Sequence, residues 1–525
     1  MKRLGGTASG ALANLAAQGF PFLVLLIVTP ILLHALGRGV YGALILFNLV
    51  PQIAGQLDLG LSTAATRGFA QYSARADRKN AMRLFREAFM FLALWGVLLG
   101  AGFYLFHEAI ASVLKLDAVV DDQSLAYLSA AINIPLALVN GATLVPLRAL
   151  ERYGRVAQIQ ITGGIAYWIA CAVLATRGAT LTQLVMLGTV SVALMTFAQF
   201  LAARERGNLP SVRSPADAPG IVRSADNSAA ALGFPPGPDG SFLLRPFIAF
   251  GAGAFVAQAS SLATYHADKL LVSALISPAA AGAYAICTSI ANKILLVVAA
   301  CATYTFPRAT RMQAEGDLVS VASTFATASR LSMVLATCIA VPLIALAPAF
   351  LEVWIGPGFA AEYGLTLQLL ALGYAIAASS VVASNVAIGI GDVRTPAVFA
   401  VLGGTVTLLA VLLLAPRYGA AGAAGAAVIG MTQAMVFNDL VARRLGPSAR
   451  RASWPLLCRL TMIGLPVGIL ASVSSTVVRG WISLVVIGAA AAGCFLFLWL
   501  LTFGRGDERL VLRRFLIKAH ASNDH

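Results

Sequence analysis

Charge is scarce in this 525-residue chain: Asp, Glu, Lys and Arg together make up 11% of it. A soluble domain carries roughly 25%, so much of this surface faces something other than water. Histidine is scarce as well, with 5 in all. The 6 cysteines (Cys171, Cys287, Cys301, Cys338, Cys458 and Cys494) lie in or beside apolar runs, at no metal-ligand or disulfide spacing. They read as small core hydrophobes, and no metal site is expected. No GxxxxGK[ST] run is present, so P-loop nucleotide hydrolysis does not supply the energy. A clean cleavage site after the first apolar run is also missing, and no cleavable signal peptide is expected.

What the chain has is 59% hydrophobic residues, gathered into runs of the length that crosses a bilayer. A window of about 20 residues finds about fourteen of them: 11–35, 41–65, 87–111, 124–147, 154–176, 180–202, 246–276, 279–305, 325–349, 363–389, 396–415, 418–441, 455–473 and 481–503. The runs are continuous and do not alternate every second residue, which predicts helices and not a barrel. Basic residues collect in every second gap, at Arg67 and Lys79, Arg148, Arg204, Arg308, Arg394 and Arg443, and again in the tail from Arg505 to Lys518. That asymmetry predicts both termini on the cytoplasmic side of the membrane. The net charge of +15 is then topological, and no nucleic-acid partner is expected.

Residues 203–245 are rich in Pro, Gly and Ser, from Pro210 to Pro238, a composition that builds no core and predicts a cytoplasmic linker. It separates an N-terminal lobe (1–202) from a C-terminal lobe (246–445), followed by two extra helices (446–504) and a basic tail (505–525). The lobes show a repeat. Gly42 matches Gly282, and Gly163-Gly164 matches Gly403-Gly404, both at an offset of 240 residues. Six spans per lobe give both halves the same sense, hence a pseudo-two-fold along the membrane normal and a central cavity. The fold expected is an all-α polytopic membrane protein.

The segment LGRGVYGALILFNLVPQIAGQLDLGLSTAATRGFAQY (36–72) resembles the N-terminal signature of the bacterial polysaccharide-unit flippases. That signature is a Gly-x-x-x-Tyr-Gly turn before a helix ending in Asp-x-Gly and a basic residue, here Gly37, Tyr41-Gly42, Asp58, Gly60 and Arg67. ADKLLVSALISPAAAGAYA (267–285) is similar to the seventh helix of the same family, within the multidrug/oligosaccharidyl-lipid/polysaccharide exporter superfamily. The resemblance implies an alternating-access flippase, not an enzyme. Its cargo would be undecaprenyl-pyrophosphate-linked oligosaccharide carried from the inner to the outer leaflet of a bacterial plasma (inner) membrane, with membrane lipid and a polysaccharide polymerase as partners. Fourteen spans also keep open a lipid II flippase, although the arginine cluster of that group is missing from the first two spans, which hold only Arg38 and Arg67. A cation-coupled multidrug antiporter is the third reading, yet its acidic residue in the first helix has no counterpart here. A membrane glycosyltransferase would need a large polar loop with paired carboxylates, and the loop bearing Asp117 and Asp122 is short.

Moving a lipid diphosphate requires cations for its charge and polar groups to replace water, all turned inward from lipid. The substrate-binding candidates are Lys293, Asn48, Gln52, Gln56, Arg67, Arg308 and Lys269. Lys293 lies about 21 Å into its span at 1.5 Å per residue, near mid-bilayer, and Asn48, Gln52 and Gln56 recur every four residues as one polar stripe. Asp268, Asp58 and His266 are the ion-coupling candidates, for H⁺ or Na⁺, and no other cofactor is expected. Each has a structural alternative. Asp268 locks to Lys269 or Lys293, Asp58 caps or kinks the helix before Gly60, and His266 is an interfacial group. Topology alone accounts equally for Arg67 and Arg308, and Trp354 reads as an interfacial belt residue.

Overall fold

The computed structural model describes residues 2–74, 77–117, 119–120, 122–150, 152–204, 266–450 and 454–503. The linker from residue 205 onward, residues 246–265 of the expected seventh span and the basic tail lie outside the described residues. Those described are helical, without a strand among them. Among the described residues, eleven helices are long and apolar enough to cross a membrane, and the protein is a multi-pass membrane protein.

Two of these helices carry a break in the backbone. Helix α1 (Lys2–Gln56) has 55 residues, about 80 Å at 1.5 Å per residue against about 30 Å of hydrocarbon. It breaks at Gly37 (φ 75°, ψ 166°), a conformation open to glycine, and so supplies the first two expected spans. The second of these stops short of its expected end at 65. Leu59 (φ 56°) and Gly60 (φ 71°) turn the chain, and α2 (Leu61–Ala74) continues it as a separate helix. After α3 (Arg78–Leu105), α4 (His107–Leu114), α5 (Gln123–Ala149), α6 (Tyr153–Thr176) and α7 (Leu181–Arg204), the described chain resumes at the short α8 (Ala267–Leu275) and α9 (Pro278–Ala302). Then follow α10 (Thr305–Ala314), α11 (Leu318–Trp354), α12 (Pro357–Ala378), α13 (Ser380–Gly389), α14 (Arg394–Met431), α15 (Gln433–Leu445), α16 (Pro447–Arg450), α17 (Trp454–Ser474) and α18 (Trp481–Thr502). Helix α14 breaks at Gly419 (φ 62°, ψ −145°) and supplies two expected spans.

Contacts gather Ala16–Gly282 into one unit and Met1–Leu15 with Ala283–His525 into another. In the first, α5 is central and packs against α2, α3, α6 and α7, while α8 sits on α4. Small residues let the backbones close in. A Cβ on Gly96 would stand 2.5 Å from Cα of Pro135, and one on Gly100 2.5 Å from the Ala131 carbonyl oxygen. In the second unit α11 is central, with α12 on one side and the two extra helices, α17 and α18, also docked on it. Their core holds Met333, Leu460, Phe495 and Trp499. Arg330 is buried in α11 with its guanidinium 5.1 Å from the Trp499 ring centre, a cation–π contact. Trp354, expected at the interface, is buried beside Phe350.

The repeat is written into the backbone. Asp77 N–H donates to Tyr72 and Asp317 N–H to Met312, Leu150 to Pro146 and Ile390 to Val386, and Arg152 to Leu147 and Asp392 to Ala387. Both members of each pair are displaced by the offset that matches the glycines. Asp77 and Asp317 each cap the following helix, through the amides of Asn80 and Ser320, as N-cap carboxylates do. The break at Gly37 falls opposite the turn at Ser277. Gly163 and Gly403 both make room for the next helix of their own repeat, against Met195 and Gln433.

Candidate functional site

The polar stripe on α1 forms, with each member engaged differently. Asn48 is half-buried, with its Nδ2 donating to the Leu44 carbonyl at 3.0 Å and its Oδ1 accepting from the Tyr167 hydroxyl at 3.0 Å. Gln52 is exposed, and its Nε2 donates to the Asn48 carbonyl at 3.1 Å. Gln56, the last residue of α1, is half-buried. Tyr167, on α6, is thus drawn into the stripe, a partner that helical spacing on α1 does not reveal.

Asp58 is buried in the turn between α1 and α2, where it takes up a structural task. Its carboxylate accepts the amides of Gly60 at 2.8 Å and Ser62 at 3.2 Å, satisfying orphan donors at the start of α2 and complementing the positive end of its dipole. Trp95 of α3 pins the same turn through the Leu57 carbonyl at 2.9 Å. Arg67 is half-buried on α2.

Asp268 and Lys269 open α8 and are both buried. The Asp268 carboxylate accepts the Lys269 amide at 2.8 Å and pairs with its Nζ at 3.3 Å, so the lock between neighbours is formed. His266 precedes them, half-buried, and its Nδ1 has no hydrogen-bond partner among the described residues. The far end of α8 is clasped by α4. Lys115 Nζ donates to the carbonyls of Leu275 (3.2 Å) and Ile276 (3.1 Å), and the Ser273 hydroxyl donates to the Leu114 carbonyl (2.8 Å). Lys115 reaches them from a left-handed backbone (φ 56°) at the end of α4. Sequence reading missed this clasp, since a lone lysine in a short loop carries no sign of carbonyls so far along the chain.

In the second unit Lys293 is half-buried midway along α9, and Arg308 is exposed on the short polar helix α10. The α9–α10 turn is held by Asn385 of α13, whose Nδ2 donates to the Ala302 carbonyl and the Thr305 hydroxyl at 3.2 Å each. His34 is exposed, and its ring nitrogen donates to the Pro30 carbonyl. No group of three or more His, Cys, Asp or Glu able to hold a metal occurs among the described residues.

A second polar array, between α5 and α7, was also missed. Ser129 bonds Thr189 (2.9 Å), Asn140 bonds Thr196 (3.0 Å) and Thr143 bonds Gln199 (3.0 Å). The threonines at 182, 189 and 196 stand one heptad apart, a signal that marks one face of α7. Hydrogen bonds between spans of this kind hold helices together in lipid.

Compared with solved structures, this arrangement of helices aligns over 94% of the chain and 100% of a structure of the lipid II flippase MurJ in an inward closed conformation, at 13% identity and a TM-score of 0.67. The chain has the fold of the MOP-superfamily exporters. An inward-facing multidrug resistance MATE family transporter of that superfamily aligns over 83% of this chain and 98% of its own, at 14% identity and a TM-score of 0.60. A MOP superfamily transporter from Pyrococcus furiosus, described by the reverse polarity of its binding pocket, follows over 83% and 94% at 15% identity and 0.51. Residues 239–361, from before α8 into α12, match a family described as polysaccharide biosynthesis protein. A search of curated proteins gives no match.

Proposed function

We propose that the protein is an alternating-access flippase for undecaprenyl-pyrophosphate-linked oligosaccharides, delivering them to the outer leaflet of the bacterial inner membrane for surface polysaccharide assembly. The observation that carries this reading is Lys293, a cation halfway along a membrane helix and only half-buried. A charge at that depth costs at least about 2.5 kcal/mol, and a diphosphate is an anion suited to offset it. The polysaccharide-biosynthesis match over 239–361 includes Lys293, Asp268 and Lys269, which favours a glycan-bearing cargo. Asn48, Gln52 and Gln56 offer donors and acceptors to sugar hydroxyls, and Arg67, Arg308 and Lys269 add positive charge. Asp268 couples the cycle to an ion gradient by taking up H⁺ or Na⁺ in exchange for its bond to Lys269. His266 stands beside it, whereas Asp58 is committed to its helix cap.

The test is Lys293→Ala against Lys293→Arg in cells, with surface glycan as readout and membrane abundance as control. The alanine variant is expected to lose delivery and the arginine variant to keep part of it. Full delivery by the alanine variant at normal abundance refutes the assignment. A lipid II flippase is the second reading, favoured by a likeness over 94% of this chain and 100% of that flippase. Rescue of cells depleted of that activity separates the two.

A further inference from the structure

Within the unit Ala16–Gly282 lies a cavity of about 330 Å³, walled by α1, α3, α4, α5 and α8. Phe47, Val50 and Ala54 of α1 line it, together with Phe103 of α3, Tyr127 of α5 and Leu270 of α8. From Leu46 to Leu57 its lining follows α1 for eleven residues, about 16 Å at 1.5 Å per residue, which is the shape of a slot. Its volume falls in the range of ligand sites. Apart from Tyr127 every lining residue has a hydrocarbon side chain, and the Tyr127 hydroxyl is itself buried from solvent. Water needs two or more polar partners to occupy such a space and finds none on those walls.

A cation stands in the chain between two of the lining residues. Leu114 and Leu116 line the cavity, and Lys115 between them is exposed, holding the end of α8 through two carbonyls. An apolar cavity with an exposed lysine between two of its lining residues suits one hydrocarbon chain with an anionic phosphate at its head. We propose that this cavity is a lipid-chain site, occupied by one chain of a phosphate-headed lipid whose headgroup lies at Lys115. Two lipids offer this chemistry, a membrane phospholipid and a polyprenyl phosphate. The site does not require the transport reading, because a membrane phospholipid fulfils it equally.

The test uses the full chain in nanodiscs with two photoactivatable probes, a phosphatidylglycerol bearing a diazirine in its acyl chain and a polyprenyl phosphate bearing one in its prenyl chain. Labelled peptides are then mapped. Label is expected within residues 46–57 and 99–116, several-fold reduced by Ala54→Phe, which fills the slot. Lys115→Gln is expected to weaken labelling by the phosphate-headed probes and to leave labelling by a neutral diazirine diacylglycerol unchanged. Val50→Phe serves as a second filler should the first variant fail to fold, with thermal unfolding as the control. Label from the phospholipid alone identifies a membrane-lipid site, and label from the polyprenyl phosphate alone a carrier site. Label spread evenly over lipid-facing helices, or undiminished in both filled variants, overturns the proposal. Absence of glycan transport by the native chain with labelling intact would count against the transport reading and leave this one standing.

Discussion

Two carboxylates of the N-terminal unit, Asp58 and Asp268, are both buried and answer to different partners. Asp58 holds two backbone amides at the start of α2, a task asparagine performs as well. Asp58→Asn should therefore leave transport unchanged, and Asp58→Ala should cost about 1 kcal/mol of stability, read as a lower thermal midpoint. Loss of transport in the asparagine variant with normal stability would return Asp58 to the coupling set. Asp268 pairs with a side chain able to let go of it, Lys269. Asp268→Asn is expected to abolish the response of transport to an imposed ion gradient, and an unaltered response removes its coupling role. Both carboxylates were legible in the sequence, because an ionised group in an apolar run stands out. Lys115 was not, since its importance comes from a left-handed backbone and from carbonyls on α8.

Between elements, the closest approach in the N-terminal unit is made by the two glycines that the repeat equates. A Cβ on Gly42 would lie 1.9 Å from the Pro278 carbonyl oxygen, and one on Gly282 would lie 2.7 Å from Cα of Gly42. Gly42→Val should force α1 and α9 apart and lower both thermal midpoint and membrane abundance, whereas Gly55→Ala, with open space around it, should be tolerated. The turn between α13 and α14 is held by Asp392, which accepts from the Thr395 amide and hydroxyl and from Arg444 at 2.7 Å. The Thr395 hydroxyl and amide, with Arg444 adding to them, keep its carboxyl below the usual carboxylate range. A depressed pKa contributes stability above the unfolded value, about 4, and loses it as pH falls through the folded value. The difference in unfolding midpoint between the native protein and Asp392→Ala should be largest near neutral pH and shrink below about pH 4. A constant difference across that window would contradict the assignment. Spans were readable from length and hydropathy, and Pro416-Arg417 and Asp58 marked where the apolar runs are interrupted. The left-handed backbone at Leu59 was not readable, because a leucine carries no sign of a positive φ.

At the scale of the whole molecule, the duplication expected from two glycine matches is carried by equivalent backbone hydrogen bonds and by the helix-capping pair Asp77 and Asp317. The likeness to MOP-superfamily structures, at 13–15% identity, carries the fold, and the cargo has to be read from side chains. The most direct measurement reconstitutes the purified full chain in liposomes with a fluorescent polyprenyl-diphosphate oligosaccharide on one leaflet and an imposed proton or sodium gradient. Appearance of the glycan on the opposite leaflet is followed by its accessibility to an impermeant glycosidase. The account expects gradient-dependent transfer by the native chain and none by Lys293→Ala. Equal transfer by both, or none by the native chain under either gradient, would contradict it.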